Sequence, residues 1–135
     1  MSESSAHIYL VDVMSKYIAN KYFESDMGRL LIDSPQNSRN TKPFNVNGYK
    51  PDVYAKKEDT MVILGEAKTD YDLDRKHSIE QFNAFLKYCS GFDDSIFVLA
   101  VPWYLSIHGK KILQNIQEDR EFSSVRIEVI DKIVV

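Results

Sequence analysis

Two carboxylates and one ammonium, Asp52, Glu66 and Lys68, stand at a spacing that can gather them at one point. Residues 51–57 (Pro-Asp-Val-Tyr-Ala-Lys-Lys) and 61–68 (Met-Val-Ile-Leu-Gly-Glu-Ala-Lys) alternate like two short strands, with Glu58-Asp59-Thr60 as the turn between them. A three-residue hairpin loop sets Lys57 against Met61 and, further back along the hairpin, Asp52 against Glu66. Side chains alternate along a strand, so Lys68 shares the face of Glu66. Directly opposed residues have Cβ atoms about 5 Å apart, and like charges so placed destabilise a sheet. Lys68 supplies only one positive charge, so a divalent cation is the simplest completion. Mg²⁺, a hard ion that takes oxygen ligands, suits two carboxylates, and Mn²⁺ can take its place. Such an ion makes bound water more acidic and neutralises charge on a phosphoryl oxygen. Lys68 beside it can orient or deprotonate the attacking water, because desolvation and a neighbouring cation both lower a lysine pKa. The plainer alternative is a surface hairpin on which Glu66 and Lys68 neutralise each other. Pro51 at the strand start, where a missing N–H is tolerated, and Gly65 beside Glu66, where a close approach is allowed, favour the site.

The remaining chain must position that hairpin. Residues 6–24 read as a helix, with Val11, Met14, Ile18 and Tyr22 on one stripe and Ser4 or Ser5 as its cap. Residues 28–33 read as a first strand. Residues 34–50 form a long polar stretch that holds Arg39, Lys42 and Lys50 and no acid; loops this long are usually functional or disordered. After Lys68 comes a charged connection, then a helix over 78–90 that stops at Gly91. Residues 95–101 are continuously apolar, as in a strand buried on both faces, and Pro102 ends them. A helix over 107–118 and an alternating strand over 125–130 follow. The order αβββαβαβ predicts an α/β fold in one domain, 1–135: a mixed central sheet flanked by helices, with a further C-terminal helix and strand.

Bulk properties bound the function. The chain has 135 residues, 44% of them hydrophobic and 27% charged, with a net charge of −3. It is large enough to bury a core. The balance argues against a protein that coats nucleic acid, though not against local contact with a phosphate backbone. One cysteine, Cys89, excludes an internal disulfide and fits a reducing compartment; with no long apolar run and no signal-like start, the expectation is an intracellular (cytoplasmic) protein without a membrane span.

Pro51-Asp52, thirteen residues, then Glu66-Ala67-Lys68 resembles the signature of the PD-(D/E)XK nuclease superfamily, and the element order resembles that superfamily's restriction-endonuclease-like αβββαβ core. The resemblance implies that Asp52 and Glu66 are metal ligands, that the Ala67 carbonyl completes the site, and that Lys68 is the catalytic lysine. It also implies an acid from the first helix, for which Asp12 and Glu24 are the candidates, and a glutamine on the next helix, for which Gln81 fits. Ser78-x-x-Gln81 is equally a capping box, with Gln81 bonding back to the helix start. The pairing of that helix start with Glu-x-Lys looks most like small virus-type replication-repair nuclease modules and junction resolvases.

Other clusters carry less. Asp70, Asp72 and Asp74 fail as a calcium loop, having Arg75 where glycine and Gln81 where glutamate are required. Arg75, Lys76 and His77 precede the second helix and can meet phosphate or simply face solvent. His7, His77 and His108 lack zinc-ligand spacing. The resulting expectation is a Mg²⁺-dependent endonuclease acting on DNA, branched or structured DNA included, with Arg39, Lys42, Lys50, Arg75 and Lys76 on the backbone. Specificity then falls to nucleic-acid shape, to a homodimer or to a partner protein. The alternative is a catalytically silent nucleic-acid-binding or assembly module.

Overall fold

The computed structural model describes residues 4–35, 42–69 and 73–131. Arg39, Asp70 and Asp72 lie outside them. Helix α1 spans Ser5–Tyr22, and the Ser4 side chain caps it by accepting the His7 N–H at 3.1 Å. It ends at Phe23, where Glu24 and Ser25 take positive φ and the Ser25 N–H returns to the Ala19 carbonyl. The expected first strand shrinks to two residues, β1 (Leu31–Ile32), because Asp26 caps the Gly28 N–H and winds Met27–Arg29 into a 3-10 turn. The hairpin follows as β2 (Val53–Lys57) and β3 (Met61–Ala67), in the register the three-residue turn requires: Val53 faces Gly65 and Lys57 faces Met61. Then come α2 (Lys76–Ser90), β4 (Asp94–Ala100), a 3-10 turn at Trp103–Leu105, α3 (Ser106–Arg120) and β5 (Arg126–Ile130).

The five strands make one mixed sheet in chain order, β1-β2-β3-β4-β5. The first two pairings are antiparallel; β3·β4 and β4·β5 are parallel, with α2 and α3 as crossovers. Alternation along β2, β3 and β4 splits the core in two. Val53, Ala55, Ile63, Ile96 and Val98 pack under the α1 stripe of Val11, Met14 and Ile18. Tyr54, Val62, Leu64, Phe97 and Leu99 meet Phe82, Phe85 and Leu86 of α2 and Leu113 of α3. Gly65 keeps α1 close to β3: a Cβ there would lie 2.8 Å from Met14 Sδ and 3.2 Å from Val53 Cβ.

The polar stretch before the hairpin is more built than its composition suggests. Asn47 and Gly48 both take positive φ, and Val46 and Tyr49 exchange backbone hydrogen bonds across them, a two-residue turn of the Asn-Gly kind. Val46 is buried in the α2-side core, and Asn47 Nδ2 donates to the Ala84 carbonyl of α2. Among the described residues no helix is long and apolar enough to cross a membrane.

Candidate active site

Asp52, Glu66 and Lys68 are all buried, at the sheet end where β3 finishes and β2 begins. By alternation Glu66 and Lys68 continue the face of Val62 and Leu64 toward α2. Asp52 is held from three directions. Its backbone N–H donates to Glu66 Oε1 at 3.2 Å, its Oδ2 accepts the Ala67 N–H at 2.8 Å, and His7 Nε2 lies 3.2 Å from the same Oδ2. Lys68 Nζ is 3.4 Å from Glu66 Oε2 and donates a short hydrogen bond to Gln81 Oε1 of α2. Its backbone N–H bonds the Ala100 carbonyl at 3.0 Å, fixing the strand end against β4. Burial pushes the Glu66 carboxyl well above the usual range, and the neighbouring Asp52 carboxylate pushes it further; Lys68, the Asp52 N–H and His7 oppose them. Burial and Asp52 thus oppose ionisation of Glu66, and the contacts from Lys68, the Asp52 N–H and His7 favour it.

The other expected residues separate into those near the cluster and those apart from it. Gln81 joins the cluster, but no capping box forms. Helix α2 starts two residues before Ser78, with Arg75 at the N-cap and no side-chain cap bond, so Ser78 is buried inside the first turn and Gln81 is left to Lys68. Asp12 does not meet Asp52: it pairs with Lys16 one turn on, at 3.1 Å, with 46% of its side chain exposed. Glu24 is exposed beyond the far end of α1. The residue of α1 that does reach the cluster is His7, which sequence reasoning passed over for want of zinc spacing. A signal existed, since His7 precedes Val11, Met14 and Ile18 at helical intervals and continues their buried stripe. Lys42 donates to the Ser34 carbonyl at 3.1 Å and lies 3.7 Å from Asp33, whose N–H bonds the Asp52 carbonyl. Lys50, Arg75 and Lys76 are exposed.

Among the described residues no group of three or more His, Cys, Asp or Glu side chains is gathered so as to hold a metal ion. The donors at hand are two carboxylates, hard oxygens without a thiol, and the Ala67 N–H on Asp52 Oδ2 brings the backbone that the resemblance names as the third donor up against them. That chemistry fits Mg²⁺ or Mn²⁺ completed by water or substrate oxygen. The chain matches no protein-family model, no curated protein and no solved structure.

Proposed function

We propose that this chain is a divalent-metal-dependent nuclease of restriction-endonuclease-like fold, hydrolysing phosphodiester bonds and acting by preference on DNA. The single observation that carries the reading is the buried Asp52–Glu66 pair with Lys68 alongside, at one end of the sheet. Buried charges of like sign are expensive, and a chain keeps them together where they have work to do. Asp52, Glu66 and the Ala67 carbonyl would hold the cation, which would acidify water and neutralise charge on the phosphoryl group. Lys68, directed by Gln81 and balanced by Glu66, would orient the attacking water or accept its proton. His7 would steady Asp52 from the α1 side. The exposed cations Lys50, Arg75 and Lys76 would meet the backbone on either side, with Arg39 and Lys42 from the preceding stretch.

One observation favours the second reading, a catalytically silent nucleic-acid-binding or assembly module: Asp12 turns away, and α1 brings an imidazole rather than a carboxylate. A cleavage assay separates the two. Supercoiled, linear, single-stranded, flap and four-way-junction DNA, and RNA, are incubated with Mg²⁺ or Mn²⁺ beside Lys68→Ala. Loss of a general base or water-orienting group predicts a fall of roughly a hundredfold or more in the variant. Equal behaviour of wild type and variant on every substrate would sink the catalytic reading.

A further inference from the structure

The chain leaves the active-site end of the sheet through a surface that is unusually apolar for an exposed turn. After β4, Pro102 leads into the 3-10 turn at Trp103–Leu105 and then into α3. Trp103 is 67% exposed, Tyr104 53% and Ile107 84%. Exposed aromatic groups clustered in this way mark contact surfaces. The two rings stand edge to face, with centroids 5.6 Å apart and planes at 88°. Such a contact covers one face of only one of the two rings.

Its position ties this surface to the site. Ala100 is paired with Ala67, in the middle of Glu66-Ala67-Lys68, and accepts the Lys68 N–H. Neighbouring strands lie about 4.8 Å apart, and three residues of chain reach at most about 10 Å, so Trp103 stands within roughly 15 Å of Ala67. One nucleic-acid strand advances about 3.4 Å per stacked nucleotide, so that reach is about four nucleotides from the cluster.

Resting on the nuclease reading, we infer that Trp103, with Tyr104, is a stacking platform for an unpaired base a few nucleotides from the bond to be cut. The preferred substrate is accordingly single-stranded, flapped or branched rather than intact duplex. A net charge of −3 limits electrostatic attraction to what local cations such as Lys50, Arg75 and Lys76 supply, so contacts to the bases add to the affinity. Base–aromatic stacking supplies such contacts without sequence preference. Within a duplex the base faces are already stacked on one another and are closed to a protein ring; an unpaired base offers its face.

Trp103 is the only tryptophan of the chain, so its own fluorescence reports the event. Full-length protein is titrated with an oligo(dT) strand and with a duplex of the same length. Titrations are run in EDTA and, in a Lys68→Ala background, with Mg²⁺, while anisotropy of a labelled strand is followed in parallel. The single strand is expected to quench Trp103 and to bind more tightly than duplex. Trp103→Ala is expected to weaken single-strand binding roughly tenfold and to leave duplex binding unchanged, with Trp103→Phe largely restoring it. Equal losses on both forms, or no loss, would overturn the platform. So would sedimentation data in which Trp103→Ala abolishes self-association and spares oligonucleotide binding, since the surface would then be a protein interface. Lys68-dependent cleavage that persists without any Trp103 effect removes this inference alone. Absence of both cleavage and binding removes the nuclease reading with it.

Discussion

Replacing Asp52 by asparagine should stabilise the cation-free protein. The substitution keeps the shape of the side chain and an oxygen that can accept the Ala67 N–H, but removes the charge facing Glu66. At the spacing of about 5 Å between directly opposed residues, two ionised carboxylates repel by about 3 kcal/mol at an effective dielectric of about 20. Against that stand a weaker hydrogen bond from Ala67 and a lost attraction to His7, together about 1–2 kcal/mol. The net gain is about 1–2 kcal/mol. Unfolding entropy near 2.1 cal/mol/K per residue gives a 135-residue chain about 3.5 °C per kcal/mol, hence a rise in Tm of about 4–7 °C. The pH dependence has a defined sign. The folded state raises the Glu66 pKa, so the stability this acid contributes is complete below its unfolded value near 4.3 and is lost as pH rises through the folded value. In Asp52→Asn that decline should be shallower. Saturating Mn²⁺ should raise the wild-type Tm by mass action and leave the variant unmoved. Scanning calorimetry in EDTA at neutral pH decides the matter: if Asp52→Asn melts at or below wild type, the strained carboxylate pair does not exist.

Two further outcomes follow from packing and titration. Gly65→Ala drives a methyl against Met14 Sδ and Val53 Cβ in a full core, and should cost about 1–3 kcal/mol in urea unfolding, with an m-value like that of wild type. Burial pushes Tyr22 up to about 12, helped by its hydrogen bond to Glu128. Its contribution to stability is therefore complete below pH about 10 and is lost between there and about 12; Tyr22→Phe should show a shallower alkaline decline in circular-dichroism melts than wild type.

How much was legible depended on whether local pattern or distant contact decided the outcome. The hairpin register followed from a three-residue turn and strict alternation, and Val53 does face Gly65. The doubly buried strand β4 announced itself as an unbroken apolar run. Gln81 was found through a resemblance, while the local rule attached to it failed because α2 begins at Lys76, ahead of Ser78. Asp12 attracted attention as an acid near the apolar stripe of α1, whereas His7 lies on that stripe, and which side chain reaches the sheet end is set by packing. The Asn47-Gly48 turn carried a strong local signal that was hidden by the polar composition around it. Trp103, Tyr104 and Ile107 are of types that usually fill cores, so nothing in the chain alone announces their exposure.

Glu128 on β5 accepts hydrogen bonds from Tyr17, Lys21 and Tyr22, all on the last turns of α1, across separations of 106 to 111 residues. Burial would raise its carboxyl, but those three donors hold it below the usual range. Contacts of such long range repay the entropy of closing the chain only after the intervening sheet has formed. Glu128 therefore works as a latch between the first helix and the edge strand β5. Weakening it, as in Glu128→Gln, is expected to speed unfolding more than it slows folding in stopped-flow measurements.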